Sequence, residues 1–406
     1  MNKNINVYSE IEKLKKVILH RPGHELTNLA PDQLGELLFD EIPFLDAAVE
    51  EHDYFAQILR DNGCEVYYLE DLAAESLTDS GIKEAFIDEF LKESDIQVDR
   101  EKEILKELFQ NMENKELVLK MMGGIRKSDL PDYKKTSLPE IIEKDEFFVT
   151  KPMPNLYFTR DPFSLIGHSV SLNHMWSETR RRETLFGKYI FKYHNDFKIK
   201  DEDLHYNREL PASIEGGDIL VLSDELIAVG TSERTSARAI EQFAKRVLRE
   251  ETGFKKILVL SIPKKRAFMH LDTVFTMVDR DLFTVHPEIE DSLTCFGITF
   301  DGKNLHTEEE SSDIEEVLLK NLHLDKVDLI RQGSGGLLDA SREQWSDGYN
   351  TLAIAPREVV VYDRNVVTNQ ILRDHGVTLH IMKSGELSRG RGGPRCMSMP
   401  IYRERA

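Results

Sequence analysis

Cysteine is scarce in this sequence: Cys64, Cys295 and Cys396 are the three in 406 residues. An odd and sparse set does not form a disulfide framework, and no Cys-x-x-Cys pair is present to begin a zinc site. No run approaches the ~18 apolar residues of a membrane span, and residues 1–16 lack the apolar region of a signal peptide. We therefore expect a cytoplasmic protein in a reducing compartment.

The sequence also lacks an excess of basic residues. It has 53 Lys and Arg against 73 Asp and Glu, a net charge of −20. Nucleic acids and anionic membranes are bound through basic surface, so neither is an expected partner. The Arg-Gly element at residues 389–393 has too few copies for an RGG tail, and an active-site loop is the preferred interpretation. A hydrophobic content of 40% excludes wholesale disorder.

Three passages of the sequence share one pattern. Each starts with an ionisable residue (Asp161, Glu215 or His270), and an apolar strand pattern begins four residues later, followed by a polar turn and a second apolar strand. This pattern predicts a β-hairpin in each passage. The starting residues are 54 and 55 residues apart, which is a weak internal repeat. A single polar residue before a strand is commonly a turn former, but three in register indicate a shared role.

The repeat can be extended beyond the hairpins. After the second hairpin, residues 240–248 have the apolar spacing of an amphipathic helix, and residues 256–262 form another buried strand pattern. The predicted unit is therefore strand–strand–helix–strand, with further copies at residues 349–382 and 16–69. Units repeated around an axis bring equivalent positions together at the centre, where the three ionisable residues would meet.

Residues 71–145 differ in texture from the rest of the chain. Within them, residues 99–112 place apolar side chains on one helical face and charges on the others. We expect this stretch to be a helical insertion within a single α/β domain that spans residues 1–406. Its charge runs are read as solvated faces, and we assign it no chemistry.

Cys396 lies in a segment rich in Gly, Pro and Arg, residues 389–400 (RGRGGPRCMSMP). This composition predicts a flexible loop that presents the thiol rather than burying it. The thiolate is the nucleophilic form of cysteine, and free cysteine has a pKa of about 8.5. Cys64 and Cys295 lie within apolar strand patterns, where cysteine packs as a small hydrophobic residue. Cys396 is therefore the candidate nucleophile.

An H-x-D pair, His270 and Asp272, opens the third hairpin. In a strand, residues i and i+2 point to the same face, so both side chains would enter one pocket. A neutral histidine there serves as general base, with Glu215 orienting it, whereas a metal pair would need further ligands nearby. Asp161 and Asp272 then supply two carboxylates, which match the N–H donors of a planar guanidinium. The pattern favours a guanidinium ligand and disfavours an anion.

Arg180 and Arg234 show a further regularity, because they follow Asp161 and Glu215 by 19 residues each. Each is expected in the first turn of a helix, beside the cap candidates SETR and TSER. A cation near a helix N-terminus is mildly unfavourable, which suggests another duty, such as holding a carboxylate. Ordinary surface arginines are the alternative interpretation.

Taken together, these residues resemble the arginine deiminase family of guanidine-modifying enzymes. The resemblance runs essentially end to end through KKVILHRPGHEL, FDEIPFLDAAVEEHDYF, NLYFTRDPF, EGGD, MHLDTVF and GRGGPRCMSMP, in that order. It implies a five-bladed α/β-propeller of ββαβ units with pseudo-fivefold symmetry, and the helical insertion is also a mark of that family. It further implies one catalytic domain and a homo-oligomer, either a dimer or a higher assembly.

The resemblance also implies a reaction and residue roles. L-Arginine would be hydrolysed to L-citrulline and ammonia through a covalent S-alkylthiouronium, with no metal or organic cofactor. The implied catalytic residues are Cys396 as nucleophile, His270 as general acid/base, Glu215 as its partner and a guanidinium ligand, and Asp161 and Asp272 as guanidinium ligands, with Asp218 behind them. The implied substrate-binding residues are Asn155 and Phe158, which line the substrate, and Arg180, Arg234 and Arg391, which hold its carboxylate and amino-acid end.

The carboxylates predicted near the thiol carry a consequence for its ionisation. They would raise the pKa of Cys396 by like-charge repulsion, and a bound guanidinium would lower it. We therefore expect the thiolate to form mainly when substrate is bound.

Several related functions use similar machinery. Agmatine deiminases, dimethylargininases and amidinotransferases are alternatives of the same superfamily. Three arginines suited to binding a carboxylate argue against agmatine as the substrate, because agmatine has no carboxylate. The helical insertion argues against the smaller dimethylargininases. A non-catalytic arginine-binding homologue is disfavoured by the complete set of nucleophile, base and carboxylates, and a Cys–His peptidase would leave the acidic pocket without a role.

Overall fold

The computed structural model describes residues 2–133, 135–136, 138–142, 147–290, 292–331 and 336–405. Short strands form its sheets, and most lie in apolar runs of the sequence. The strands are β1 (Leu14–Leu19), β2 (Glu65–Tyr68), β3 (Ile125–Arg126), β4 (Phe148–Thr150), β5 (Phe163–Ile166), β6 (Ser169–Leu172), β7 (Ile219–Val221), β8 (Leu226–Thr231), β9 (Lys256–Ser261), β10 (Phe275–Met277), β11 (Leu282–Val285), β12 (Thr294–Phe300), β13 (Leu305–Glu309), β14 (Asp328–Arg331), β15 (Leu352–Ala355), β16 (Glu358–Tyr362), β17 (Thr378–Met382) and β18 (Met399–Arg403).

Helices connect these strands and cover their sheets. No helix among the described residues is both long and apolar enough to cross a membrane. The helices are α1 (His24–Thr27), α2 (Leu45–Asp61), α3 (Leu69–Glu75), α4 (Ser80–Glu93), α5 (Asp99–Gln110), α6 (Asn114–Gly123), α7 (Leu138–Ile142), α8 (Glu183–Tyr193), α9 (Ala237–Val247), α10 (Pro287–Glu290), α11 (Ile314–Leu322), α12 (Leu337–Trp345) and α13 (Val366–Asp374).

One strand pattern recurs five times. In four modules, two strands pair antiparallel and the second pairs parallel with a third: β7–β8–β9, β10–β11–β14, β15–β16–β17 and β18–β1–β2. In the remaining module, β5 pairs antiparallel with β6, and Ser171 of β6 forms a parallel bridge with Tyr206. The three predicted hairpins are therefore present, and the chain has the α/β class expected from its sequence.

Two features of the modules differ from the sequence expectation. The copy predicted at residues 16–69 takes its first strand, β18, from the other end of the chain, because β1 pairs with β18 on one side and with β2 on the other. The hairpin β12–β13 was not anticipated. It is inserted in the chain between β11 and β14. Its strand β12 pairs with β9, which extends the sheet of the module β7–β8–β9 to five strands.

Helix α9 shows how the sequence forms a module. Ser236 caps its N-terminus by accepting a hydrogen bond from the backbone N–H of Ala239. Ile240, Phe243 and Val247 recur at helical spacing and are buried against the sheet side of the module. Burying each such side chain contributes about 1.5–3 kcal/mol, so this face attaches the helix to its sheet.

Most of the described part of residues 71–145 is helical. Helices α4, α5 and α6 bury Phe86, Phe90, Phe109 and Met121 in the same hydrophobic cluster that contains Leu165 of β5. This stretch therefore shares its hydrophobic core with the module of β5 and β6 rather than enclosing a core of its own. The predicted boundary at residue 145 lies outside the described residues.

A buried histidine ties this helical stretch to the strand β1. His20 follows β1, and its ring nitrogens lie 2.7 Å from the carboxylate of Glu70 on α3 and 3.1 Å from that of Glu25 on α1. Burial alone would lower the pKa of His20, but the two carboxylates outweigh burial and raise it to about 10. The imidazolium is thus a buried cation between two anions.

We predict that His20→Gln lowers the free energy of unfolding by about 3–5 kcal/mol, because it leaves buried charge unpaired. Arg21→Gln is the matched control: it breaks a half-exposed ion pair with Asp53 and should cost about 1 kcal/mol or less. Urea denaturation measures both.

The pH dependence follows from the raised pKa. The contribution of His20 is complete below its unfolded pKa of about 6.5 and is lost as the pH rises through the folded value of about 10. The difference between wild type and His20→Gln should therefore shrink from pH 7 to pH 10. A constant difference would contradict the assignment of His20 as a cation.

Candidate active site

The predicted catalytic residues stand where the first strand of a module begins. Asp161 precedes β5 by two residues, Glu215 precedes β7 by four, His270 precedes β10 by five and Cys396 precedes β18 by three. Three of them line one pocket, and Glu215 lies directly behind His270. The predicted substrate-binding residues line the same pocket: Asn155, Phe158, Arg180, Arg234 and Arg391.

His270 forms a buried ion pair at this pocket. Its Nε2 lies 2.8 Å from Glu215 Oε2, and its Nδ1 lies 3.8 Å from Asp161 Oδ1. Burial alone would lower the pKa of His270, but these two carboxylates raise it to about 9. Burial likewise opposes ionisation of Glu215, yet His270 and Arg234 lower its pKa to about 2. His270 is therefore a cation at neutral pH.

The Gly-Gly-Asp turn holds this histidine in position. A Cβ on Gly217 would stand 2.6 Å from the His270 ring, so only glycine permits the close approach. Asp218 accepts hydrogen bonds from Ser232 Oγ at 2.6 Å and from the backbone N–H of Leu271 at 2.8 Å. Asp218 is buried and is not among the residues that line the pocket.

The strand argument for His270 and Asp272 was wrong. His270 is the boundary residue of a 3₁₀ turn over Leu271–Thr273, and β10 begins only at Phe275. Asp272 does not line the pocket surface. Its Oδ2 lies 3.5 Å from Cys396 Sγ and 2.7 Å from Arg395 Nη1.

The expectation that a flexible loop exposes Cys396 is also wrong. The side chain is buried, with 4% of the residue exposed, and its backbone N–H donates to Asn350 Oδ1 at 2.9 Å. The glycines allow close packing of the loop: a Cβ on Gly392 would stand 2.2 Å from the Phe158 ring. Tyr362 also donates its hydroxyl to the carbonyl of Gly392 at 2.8 Å.

This environment keeps the sulfur protonated. Burial is the largest cause that raises the pKa of Cys396 well above its ordinary value, and the charges of Asp272 and Asp161 raise it further. Burial also raises the pKa values of Cys64 and Cys295 to about 12. Cys396 differs from them in the charges that face it.

Two carboxylate oxygens next to the thiol and the histidine are unpaired. Asp161 Oδ2 accepts from Arg180 Nη1 at 2.9 Å, and Asp272 Oδ2 accepts from Arg395. The other oxygen of each, Asp161 Oδ1 and Asp272 Oδ1, is buried and has no hydrogen-bond partner among the described residues. Such atoms are costly to leave unpaired. They indicate a cationic ligand with several N–H donors.

One grouping of side chains in the described part of the chain has spacing compatible with a metal ion. Ligand atoms of Asp161, Glu215 and His270 lie within 4.8 Å of one another. A metal needs a neutral imidazole, whereas His270 is protonated at neutral pH because of its pKa of about 9. Arg180 also occupies one oxygen of Asp161. The grouping therefore fits an ion-paired histidine better than a metal centre.

Other arginines on the pocket wall have unpaired donors. Arg234 Nε and both Nε and Nη1 of Arg391 are buried without a hydrogen-bond partner in the described structure. The nearest carboxylate oxygen to Arg391 is Asp40 Oδ2, 3.7 Å from Nη1 and beyond hydrogen-bond distance. These donors favour an anionic group on the ligand.

The sequence predicted both arginines in the first turn of a helix. Arg180 does lie in a single helical turn, a 3₁₀ turn before α8 with Ser177 at its N-cap position, whereas Arg234 lies in the loop before α9. Ser236 caps α9, whereas Ser232 Oγ accepts from the backbone N–H of Arg234 and forms a separate turn. The carboxylate argument therefore stands on the unpaired donors alone.

Sequence reasoning missed several charged residues near the pocket. Arg395, which is next to Cys396 in sequence, was assigned no role, but it pairs with Glu10 and with Asp272. Asp347 precedes β15 by five residues and is buried, so the repeat register could have found it. Asp40 lies on the pocket wall, and no pattern in the sequence pointed to it.

Solved structures with a similar fold include two enzymes. An amidinotransferase of saxitoxin biosynthesis from Microseira wollei has a TM-score of 0.55 and 14% identity, covering 99% of this chain and 98% of that chain. The N-terminal domain of a cyanobacterial arginine dihydrolase has a TM-score of 0.54 and 13% identity, covering 97% and 98%. At these identities the likeness shows the α/β fold alone.

Sequence comparisons define the family more closely. The family model described as arginine deiminase matches residues 35–403. Curated arginine deiminases of Streptococcus pneumoniae strains CGSP14 and ATCC 700669 are each 55% identical over 403 residues, which is 98% of this chain and 98% of theirs. The chain belongs to the arginine deiminase family, and the resemblance found in its motifs is confirmed.

We predict that iodoacetamide alkylates Cys396 of the free protein at half-maximal rate only at a pH well above the ordinary thiol pKa of about 8.5. The reason is that burial and the facing carboxylates disfavour the thiolate. Mass spectrometry of the Cys396 peptide across a pH series measures this, with the Cys64 and Cys295 peptides as internal controls. An alkylation pKa well below 7 without ligand would contradict the prediction.

Proposed function

We propose that this protein is an arginine deiminase, which hydrolyses L-arginine to L-citrulline and ammonia in arginine catabolism. The observation that carries the proposal is the distribution of unpaired groups around one pocket, with Asp272 behind Cys396 and the others on the pocket wall. Unpaired carboxylate oxygens of Asp161 and Asp272 lie by the thiol and the histidine, and unpaired guanidinium donors of Arg234 and Arg391 lie elsewhere on its wall. L-Arginine carries a guanidinium at one end and a carboxylate at the other.

The substrate guanidinium binds between the carboxylates of Asp161 and Asp272. Its planar N–H donors supply the partners that the two Oδ1 atoms lack. The substrate carboxylate then accepts from Arg234 and Arg391, and Asn155 and Phe158 line the chain between the two ends. Arg180 already donates to Asp161, so in this arrangement it orients that carboxylate and stabilises its negative charge.

Cys396 is the nucleophile. A bound guanidinium places positive charge beside the sulfur and lowers the pKa of the thiol, so the thiolate forms with substrate in place. It attacks the central guanidinium carbon and forms a tetrahedral adduct. Because Asp272 Oδ2 lies 3.5 Å from Sγ, the carboxylate that holds the substrate also fixes the distance between the reacting atoms.

His270 moves the protons of both half-reactions. As a cation it protonates one terminal nitrogen of the adduct, the carbon–nitrogen bond breaks, and ammonia leaves an S-alkylthiouronium on Cys396. The neutral imidazole then takes a proton from water, whose oxygen attacks the same carbon. The carbon–sulfur bond breaks, the hydroxyl proton of the adduct passes to the departing sulfur, and L-citrulline is released with the Cys396 thiol restored. Glu215 stabilises the imidazolium through the 2.8 Å contact. Each step uses side chains of this chain, so the mechanism involves no metal or organic cofactor.

The fold proposed for this function is a five-bladed α/β-propeller in one catalytic domain. Its support is four three-stranded modules and the related hairpin β5–β6. The first strands of three of them, β5, β10 and β18, begin just after the pocket residues Asp161, His270 and Cys396. The bridge between Val7 and Gly167 also links the module of β1 to that of β5. Residues 71–145 are the helical insertion in this proposal. The proposal also includes a cytoplasmic location, a homo-oligomeric state and no nucleic-acid or membrane partner.

We predict that Cys396→Ala lowers citrulline formation by about a thousandfold or more, because covalent catalysis is lost. Arginine should still bind, since the alanine removes only the sulfur, and calorimetry measures this binding. Cys64→Ala is the control: it deletes a buried thiol outside the pocket and should keep the turnover of folded protein. Near-normal turnover by Cys396→Ala would refute the nucleophile assignment.

A second prediction separates arginine from agmatine, which lacks the carboxylate. Arg234→Ala should lower kcat/KM for arginine by about tenfold to a hundredfold, the worth of a charged hydrogen bond, and should change agmatine inhibition much less. Arg238→Ala removes an exposed arginine four residues along the chain and serves as control. Equal losses for both ligands would exclude a carboxylate role for Arg234.

A further inference from the structure

Both tryptophans of this chain stack on arginines of the active-site pocket. The chain has two, Trp176 and Trp345. The guanidinium carbon of Arg391 lies 3.4 Å from the ring centroid of Trp345, and that of Arg234 lies 4.9 Å from that of Trp176. Trp345 is 53% exposed and Trp176 is 44% exposed, whereas both arginines are buried. Each pair thus places an exposed aromatic ring against a buried cation.

Both stacked arginines carry donors without a hydrogen-bond partner. Arg391 has no hydrogen-bond partner for Nε or Nη1, and Arg234 has none for Nε, among the described residues. A buried arginine without such partners is costly unless something else holds its charge. The indole faces supply that interaction, because a guanidinium over an aromatic ring is attracted by the ring's negative face.

Stacking also decides which donors remain available. A guanidinium donates hydrogen bonds only in its plane, so a ring on its face leaves its edge free. Asp40 lies 3.7 Å from Arg391 Nη1, close enough to capture it after a small side-chain movement. Trp345 opposes that movement by fixing the plane of the guanidinium. The edge is therefore kept open for a carboxylate from the ligand.

We propose that Trp345 and Trp176 are positioning residues that hold Arg391 and Arg234 with their N–H edges open to the substrate carboxylate. They set the preference for guanidino compounds that carry a carboxylate over those that do not. This inference rests on the proposed function and deepens it. Trp345 is not among the residues that line the pocket and acts through Arg391. Trp176 lines the pocket, and its backbone N–H donates to Glu215 Oε1 at 2.9 Å, so its ring is tested second.

Kinetics of Trp345 variants test the inference. Trp345→Leu should raise KM for arginine by about three- to tenfold, the worth of a partly desolvated cation–π contact, with kcat within about twofold because the reacting groups are untouched. Trp345→Phe should stay close to wild type, since it keeps an aromatic face. The inhibition constant of agmatine should be unchanged in both. Tyr54→Leu is the control, an equally exposed aromatic residue on α2.

The outcomes separate this inference from the proposed function. Equal kinetics for Trp345→Leu and Trp345→Phe, or an equal loss of agmatine affinity, would overturn the positioning role while wild-type turnover of arginine upholds the function. If the wild-type protein does not hydrolyse arginine, the proposed function fails and the inference fails with it. Trp176→Leu and Trp176→Phe should repeat the pattern through Arg234.

Fluorescence gives a readout that does not depend on turnover. In the double variant Cys396→Ala with Trp176→Phe, Trp345 is the only indole. Saturating arginine should change its emission, because the carboxylate bonds the guanidinium that covers the ring, whereas agmatine should leave it unchanged. Unaltered emission at an arginine concentration that calorimetry shows to be saturating would overturn the role of Trp345.

Discussion

Buried charges must be compensated where they lie, and this constraint organises the centre of the molecule. Each ion taken out of water costs several kcal/mol unless an opposite charge or a hydrogen bond meets it. His270 is met by Glu215, Asp161 by Arg180, and Asp272 by Arg395. The first and third of these pairs join residues 55 and 123 apart in different modules, so those charges are compensated only when the modules are assembled. The same pairs leave one oxygen of Asp161 and one of Asp272 without a hydrogen-bond partner in the part of the chain that the structure describes, and the proposed substrate supplies that partner.

The same electrostatics restrain the chemistry until a ligand arrives. Burial raises the pKa of Cys396, and the charges of Asp272 and Asp161, the carboxylates proposed to bind the guanidinium, raise it further. Asp161 and Glu215 raise the pKa of His270 to about 9 against the effect of burial, so the histidine carries a proton at neutral pH. A cationic substrate reverses the balance at the sulfur while leaving the histidine paired with Glu215. One set of charges thus separates the resting thiol from the reactive thiolate.

The sequence predicted the modules better than the details of the site. Period-two apolar runs after Asp161, Glu215 and His270 identified three hairpins, because each hairpin is a local structure. Pairing of β1 with β18 joins residues nearly 400 apart, and no local pattern encodes it. The burial of Cys396 was missed for a related reason: glycines in its loop suggested mobility, whereas they permit close packing against Phe158. The stacked tryptophans were missed because single aromatic residues carry no periodic signal.

The unpaired groups of the pocket link stability to specificity. A buried carboxylate oxygen or guanidinium N–H without a partner raises the free energy of the empty site, so a ligand that satisfies all of them gains more than one that satisfies half. A decarboxylated guanidine leaves the donors of Arg234 and Arg391 unmet, and an amino acid without a guanidinium leaves Asp161 and Asp272 unmet. Discrimination in the proposed site therefore comes from the polar groups that an incorrect ligand leaves unpaired. It also requires that Arg234 and Arg391 do not form ion pairs with nearby carboxylates such as Asp40 when the ligand lacks a carboxylate. A rigid support for those arginines is accordingly part of the recognition of substrate.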